Sequence, residues 1–481
     1  MVEEFLDGQD GSTGSRSRAK IGSEGSVRGP RGPECVLTPV PFSKSLLQRA
    51  LLAAAWGGGE TQLHFPSDPG LPGSQGVDVA DLILALGALG LCIYPQPVES
   101  SGPHTWCLRA PGFRSLGTVT LALGESGTAA RFCTVALAFA GVPGSVRTVA
   151  VSGTLGVRKS PALLASLSAA GVSIQSAGPG SWPLGLTSIA MPQELVIENP
   201  VSSQELSALL FALAFQGGQR LIVRGAIPSL PYVELTRAVL ADFGVRFEVH
   251  RGGEVRFDRV IPEIDPFIEN DVTPHELTVE ADASSAAVAW AAGILAHTPV
   301  AVSGFARVPL QGDAQILQLL RSAGAHCHEP HAGRWQVQGP ITTGWQANLE
   351  NTPDLAPPLV ALAAALAVGH FGTSQPSRFT GLGTLQGKES PRLEVLGQAL
   401  QQVGIAAQWG ADWLEIPVGT ATTEPVVLNA QGDHRMAFAF GLLAIAVPSI
   451  QVQGRDCVAK SWPRFWTALE GILAGSTRAS K

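Results

Sequence analysis

Two kinds of helical pattern alternate along this chain of 481 residues. The first opens on small polar or charged residues and runs into an Ala/Leu-rich stretch that is apolar on nearly every side. Six such stretches begin near Ser43, Ser126, Ser202, Asp282, Asp354 and Asp433, roughly 80 residues apart. A helix apolar all round has no solvent face and belongs in the interior. The second kind is amphipathic and closes on Gly90, Gly171, Gly244, Gly324, Gly404 and Gly475. Apolar β-formers usually follow, as expected where a left-handed glycine stops a helix and hands the chain to a strand. Short β-branched stretches such as Leu221 to Val223, Val245 to Val249 and Val300 to Val302 lie between, bounded by Gly and Pro. The pattern predicts an α/β protein in which a unit of strand, helix, strands, helix and strand occurs six times, with the first helix series buried and the second outside.

The polar starts of six buried helices would then converge. Free N–H groups and the positive ends of helix dipoles at a common site suit small anions. Any single Ser or Asp start reads first as an ordinary N-cap; it is their recurrence in phase that points to a site.

Composition narrows the function classes. With 45% hydrophobic and 15% charged residues the chain has ample core material, and its net charge of −7 argues against a general nucleic-acid or anionic-membrane binder. The longest charge-free apolar runs, Leu359 to Gly369 and Met436 to Val447, are shorter than the roughly 20 residues a membrane span needs. Residues 1–34 carry Glu3, Glu4, Asp7 and Asp10 with Gly, Ser and Arg but no apolar core of a secretory signal, and are expected to be a flexible tail. Six widely spaced cysteines without a CxxC pair fit neither a disulfide scaffold nor a zinc site, so a reducing cytoplasm is the expected compartment.

Basic residues are 26 Arg and six Lys. Against that preference, Lys44, Lys388 and Lys460 stand in Ser43-Lys44-Ser45, Gly387-Lys388-Glu389-Ser390 and Ala459-Lys460-Ser461. An ammonium with an adjustable pKa can release a proton or bind phosphate, where Arg only binds. Arg49, Arg131, Arg392 and Arg435 lie in or beside apolar helices near polar starts. Structural ion pairs would account for one or two; four fit better with a ligand carrying several phosphate or carboxylate groups. Asp354, Glu389 and His434 are the candidates for acid and base work. There is no P-loop, GxSxG or HExxH motif.

Taken in order, these motifs resemble the 5-enolpyruvylshikimate-3-phosphate synthase family. The resemblance runs from about residue 36 to 470. Beyond the segments already quoted, it rests on Leu123-Gly124 through Gly127-Thr128-Ala129 to Arg131, Ser202-Ser203-Gln204, Ser229 with Pro231-Tyr232, Asp282-Ala283-Ser284-Ser285, Gln311-Gly312-Asp313, Ser390 with Arg392, and Gly432-Asp433-His434-Arg435-Met436-Ala437. It implies the enolpyruvyl transferase fold, an inside-out α/β barrel of two similar domains, each of three βαββαβ units with buried parallel helices. Residues 43–280 would form one domain, residues 35–42 plus 281–475 the other, and 476–481 a C-terminal tail, with crossings near Pro41 to Ser43 and Val279 to Asp282.

By the same resemblance, Lys44, Ser45, Arg49, Ser202, Ser203, Gln204, Ser229, Tyr232, Asp354 and Lys388 match a shikimate 3-phosphate site. Lys44, Gly127, Arg131, Arg392, Arg435 and Lys460 match a phosphoenolpyruvate site, with Asp78 near the cleft. Asp354 and Glu389 would move protons and Lys44 would serve as the acid beside the departing phosphate. The expected protein is a monomer acting on these small molecules, with no metal, organic cofactor, nucleic acid or membrane involved.

The sequence departs from the family pattern in places. Ser160, in Val157-Arg158-Lys159-Ser160-Pro161, stands where the family has an arginine for phosphoenolpyruvate. Glu125-Ser126 replaces Asn-Ala, Pro391 replaces an Asp, Thr384 replaces an Asn, and Gly70 to Gly76 looks inserted. A related transferase acting on a UDP-amino sugar would carry a mobile-loop cysteine as its acid, and none lies near Ser160. A catalytically impaired paralogue that binds shikimate 3-phosphate is the other alternative, since Ser160 weakens the expected anion site.

Overall fold

The computed structural model describes residues 35–97, 103–113, 117–140, 142–176, 178, 181–260 and 274–479, so the tail expected at 1–34 lies outside the described residues. Six interior helices form as the apolar pattern requires: Lys44–Gly57, Gly127–Phe139, Ser203–Gln216, Ala283–Leu295, Ala356–Ala367 and His434–Ala446. Every residue of Gly127–Phe139, Ala283–Leu295 and Ala356–Ala367 is buried. Full burial of one Leu or Val side chain contributes about 1.5–3 kcal/mol, so these helices are held by packing all round rather than by a single face. The outer helices are Val77–Gly87, Pro161–Ala169, Leu230–Asp242, Ile316–Ser322, Arg392–Gln402 and Phe465–Ala479.

Five of the six predicted stop glycines, at 90, 171, 244, 324 and 404, have positive φ. Gly475 does not stop its helix, which continues to Ala479 through the segment expected as a C-terminal tail. A Cβ on Gly475 would fall 2.6 Å from Val36 Cγ2, so glycine there permits close packing of helix on strand.

The strands are distributed differently from the expected unit. One strand follows each interior helix, and in the first five units a hairpin comes after the outer helix. The strand Gly59–Phe65, for example, pairs antiparallel with His104–Ala110, which pairs antiparallel with Cys92–Pro95. Alternating stretches are short enough that sequence pattern does not say on which side of a helix they fall. Five four-stranded sheets and one two-stranded sheet result among the described residues.

Two leading strands are exchanged between the ends of the chain. Val36–Leu37 pairs parallel with Val300–Ser303, and His275–Thr278 pairs parallel with Gly59–Phe65. The two connecting segments run side by side, joined by a bridge between Phe42 and Ala281. Buried apolar side chains fall into two clusters, one from Phe42 to Val279 and the other from Ala281 to Ile472. The polar ends of the interior helices in both halves face a common cleft. No described helix is long and apolar enough to cross a membrane.

Candidate active site

Five interior helices are capped by the side chain that begins their pattern. Ser43, Ser126, Ser202, Asp282 and Asp433 accept hydrogen bonds from the N–H groups of Leu46, Ala129, Gln204, Ser285 and Arg435. The fifth helix in the series departs from this rule. It begins at Ala356 after a tight turn, Pro353–Leu355, and Asp354 makes no capping bond. Pro357 and Pro358 in its first turn have no N–H to satisfy. The Asp354 carboxylate is thereby free for other work.

It binds cations. Oδ1 of Asp354 lies 3.0 Å from Arg392 Nη1 and 3.8 Å from Lys388 Nζ, and Oδ2 lies 3.0 Å from Arg435 Nη2. Arg392 also donates to both oxygens of Asp433, at 2.7 and 3.1 Å. Glu389 accepts from His434 Nδ1 at 3.0 Å and lies 3.3 Å from Lys460 Nζ. Burial alone would raise the pKa of Asp354, but Arg435, Lys388 and Arg392 overcome it and hold the carboxyl far below its usual range. Burial is likewise overcome at Glu389 by His434, Arg392 and Lys460, leaving it well below the ordinary value. Burial pushes the His434 imidazole down and so favours its neutral form, which donates its Nδ1 proton to Glu389. Glu389, Asp433 and His434 lie close enough to hold a metal ion between them. Since Arg392 and Lys460 already occupy the carboxylate oxygens, the group reads as an acid–base cluster instead.

Asp354, Lys388, Glu389, Arg392, His434 and Arg435 line one side of a cavity of about 600 Å³. The other side carries Lys44, Ser45, Arg49, Gly127, Arg131, Ser202, Ser203, Gln204, Ser229 and Tyr232. Of the residues matched to the two substrate sites by resemblance, Lys460 alone does not line the cavity. It is buried just behind, with Nζ held by Glu125 at 3.1 Å and by Glu389. Lys44 is paired with Asp78 at 2.8 Å. Arg49 donates to Thr236 Oγ1 and to the carbonyls of Ser45 and Tyr232, and burial lowers its pKa to about 10. Tyr232 donates its hydroxyl proton to Asp354 across the cleft at 3.3 Å.

Ser160 is fully buried and stands off the cavity lining, with its Oγ unpartnered. Arg158, two residues earlier, does line the cavity. Glu125, also on the cavity lining, is neutralised by Lys460 and accepts from Thr154 Oγ1 at 3.3 Å.

Sequence reasoning missed Asp313 as a site group, although it quoted the segment. Asp313 is buried in the cavity wall with Ser284 donating to one oxygen while the other has no partner. Burial and the neighbouring Asp354 raise its pKa to about 7. Position in a Gln-Gly-Asp turn carries no hint of that environment.

A family model described as EPSP synthase (3-phosphoshikimate 1-carboxyvinyltransferase) matches residues 37–469. The 3-phosphoshikimate 1-carboxyvinyltransferase of Laribacter hongkongensis is 32% identical over 444 residues, 90% of this chain and 96% of its own length. That of Ralstonia pickettii is 31% identical over 449 residues with the same coverage. Among solved structures, an EPSP synthase from Acinetobacter baumannii superposes with a TM-score of 0.67 at 20% identity, covering 91% of this chain and 96% of its own. The enolpyruvyl transferase NikO from Streptomyces tendae superposes with a TM-score of 0.63 at 17% identity, covering 92% and 95%. These superpositions establish a shared fold.

Proposed function

Since the chain belongs to the EPSP synthase (3-phosphoshikimate 1-carboxyvinyltransferase) family, we propose that it transfers the enolpyruvyl group of phosphoenolpyruvate to the 5-hydroxyl of shikimate 3-phosphate. The observation that carries this reading is the convergence of two ionised carboxylates, Asp354 and Glu389, with seven basic side chains around one cavity: Lys44, Arg49, Arg131, Lys388, Arg392, Arg435 and Lys460.

The 5-hydroxyl oxygen attacks C2 of phosphoenolpyruvate as C3 takes a proton, giving a tetrahedral ketal; the C2–O bond to phosphate then breaks as C3 returns its proton, leaving the enol ether. Asp354, held ionised by three cations, is suited to take the hydroxyl proton. Glu389 handles the proton at C3. A phosphate arriving at Lys460 draws that ammonium's charge away from Glu389 and moves the carboxyl toward a range where it exchanges protons. Lys44 protonates the departing phosphate. Ser45, Arg49, Ser202, Ser203, Gln204, Ser229, Tyr232 and Lys388 hold shikimate 3-phosphate, while Gly127, Arg131, Arg392 and Arg435 surround phosphoenolpyruvate. Residues 43–280 form one domain, and 35–42 with 281–475 the other. Anions drawn between them close the cleft and exclude water. Six unpaired cysteines support a cytoplasmic setting, and we read the protein as a monomer.

Phosphate release from phosphoenolpyruvate, measured with and without shikimate 3-phosphate, tests this. Saturable release that needs both substrates is expected. No release despite calorimetric binding of shikimate 3-phosphate would overturn the transferase reading.

A further inference from the structure

The cations around the cavity are not equally satisfied. Lys44, Lys388, Arg392, Arg435 and Lys460 each meet a carboxylate. Arg158 meets none, and its guanidinium has no hydrogen-bond or ion-pair partner among the described residues; its Nε is buried and unpaired. Arg131 donates to the Gly127 carbonyl and to Gln204 Oε1, both neutral, and its Nε is also buried and unpaired. The two guanidinium groups approach the same point. A Cβ added to Gly127 would lie 2.7 Å from Arg131 Nη1 and 3.3 Å from Arg158 Nη2.

Like charges brought together in a desolvated wall repel: burial and Arg158 lower the pKa of Arg131 to about 10, and burial and Arg392 hold Arg158 below its ordinary value. Such an arrangement costs stability in the empty protein and is relieved by an anion. Planar guanidinium forks converging on a glycine offer paired N–H donors to phosphate or carboxylate oxygens. Arg158 also lies within electrostatic reach of Glu389 and Arg392 on the facing wall, so an anion held there would sit against the acid–base cluster.

We propose that Arg158 together with Arg131 forms an anion clamp over Gly127, and that Arg158 is the residue that sets affinity for phosphoenolpyruvate in this chain. It takes over from the position of Ser160, whose buried side chain stands off the cavity. The inference rests on the transferase reading for the identity of the anion but not for the existence of the clamp.

Two measurements on the full chain test it. In steady-state kinetics, Arg158→Ala is expected to raise the KM for phosphoenolpyruvate about 10- to 100-fold, the loss of a charge-assisted contact, with kcat changed much less and Arg158→Lys falling between. In calorimetry with inorganic phosphate, shikimate 3-phosphate being present, Arg158→Ala is expected to lose phosphate affinity by a similar factor. The melting temperature of the ligand-free Arg158→Ala protein should stay level or rise, because repulsion is removed; a structural role predicts a fall. Unchanged KM and unchanged phosphate affinity would overturn the clamp, as would an equal loss of shikimate 3-phosphate affinity. If the unaltered protein releases no phosphate from phosphoenolpyruvate, the transferase reading fails, and the phosphate titration still decides the clamp.

Discussion

The arginines on the two walls of the cleft are held in opposite ways. On the wall built from residues 43–280, Arg49, Arg131 and Arg158 face hydroxyls, carbonyls, an amide or nothing, and burial depresses their pKa values. On the wall built from residues after 280, Arg392 and Arg435 are locked to Asp354 and Asp433, and despite burial these carboxylates raise both pKa values. Charges left without counterions are ready to take an anion from solution. Charges already paired instead keep carboxylates ionised where proton transfer needs them. The first set of arginines is thus poised to take an anion, while the second set also supports the carboxylates proposed to move protons.

The sharpest way to break this comparison is at the paired wall's chemistry. Glu389→Gln keeps the shape of the side chain and removes its basicity; kcat should fall by roughly 10²- to 10⁴-fold, the usual contribution of a positioned acid–base group, with shikimate 3-phosphate binding preserved in calorimetry. A fall confined to KM would assign Glu389 to binding and erase the division between walls. Stability gives a second contrast. Arg392→Ala strands the buried carboxylate of Asp433 and should cost about 3–5 kcal/mol in denaturant unfolding. Arg131→Ala removes two hydrogen bonds to neutral acceptors and the electrostatic support of buried Glu205, whose pKa burial already raises, so its loss should be smaller, about 1–2 kcal/mol. Equal losses would show that the two arginines are held alike.

The smallest effect concerns Asp313, a carboxyl on the paired wall that meets a hydroxyl rather than a cation. Its pKa is raised from 3.8 to about 7, so its protonated form favours the folded state. That contribution is complete below pH 3.8 and is lost as pH rises through about 7. Thermal melts of wild type against Asp313→Asn should show the wild type losing stability relative to the variant between those pH values. A constant difference would place Asp313 among the ionised carboxylates.

Much of the fold was legible because burial and apolar pattern are the same physics. Six all-round apolar stretches became six interior helices, and five glycines stopped the outer ones. Gly475 misled because a glycine admits close packing as readily as a left-handed turn. The site residues were legible as types but not as partners. Nothing in Asp354-Leu355-Ala356-Pro357-Pro358 says that prolines release the Asp from capping, and its cations lie 34 to 81 positions away along the chain. At the neighbouring loop the family resemblance points to position 160, and only the turn of the backbone shows that residue 158 is the one brought to the cavity.

The exchanged strands also constrain how the protein comes into being. The sheet begun at Gly59 acquires its last strand only with His275–Thr278, and Val36–Leu37 waits for Val300 before it has a partner. During synthesis the first half must therefore hold an open sheet edge until residues 275–278 are made, and such late, long-range pairing slows folding. Cutting the chain near residue 280 would not yield two autonomous pieces. The N-terminal piece would keep His275–Thr278 in its own sheet but would also carry Val36–Leu37, the strand that pairs with Val300–Ser303, so the C-terminal half is expected to recover its fold by reassociating and to do so poorly alone.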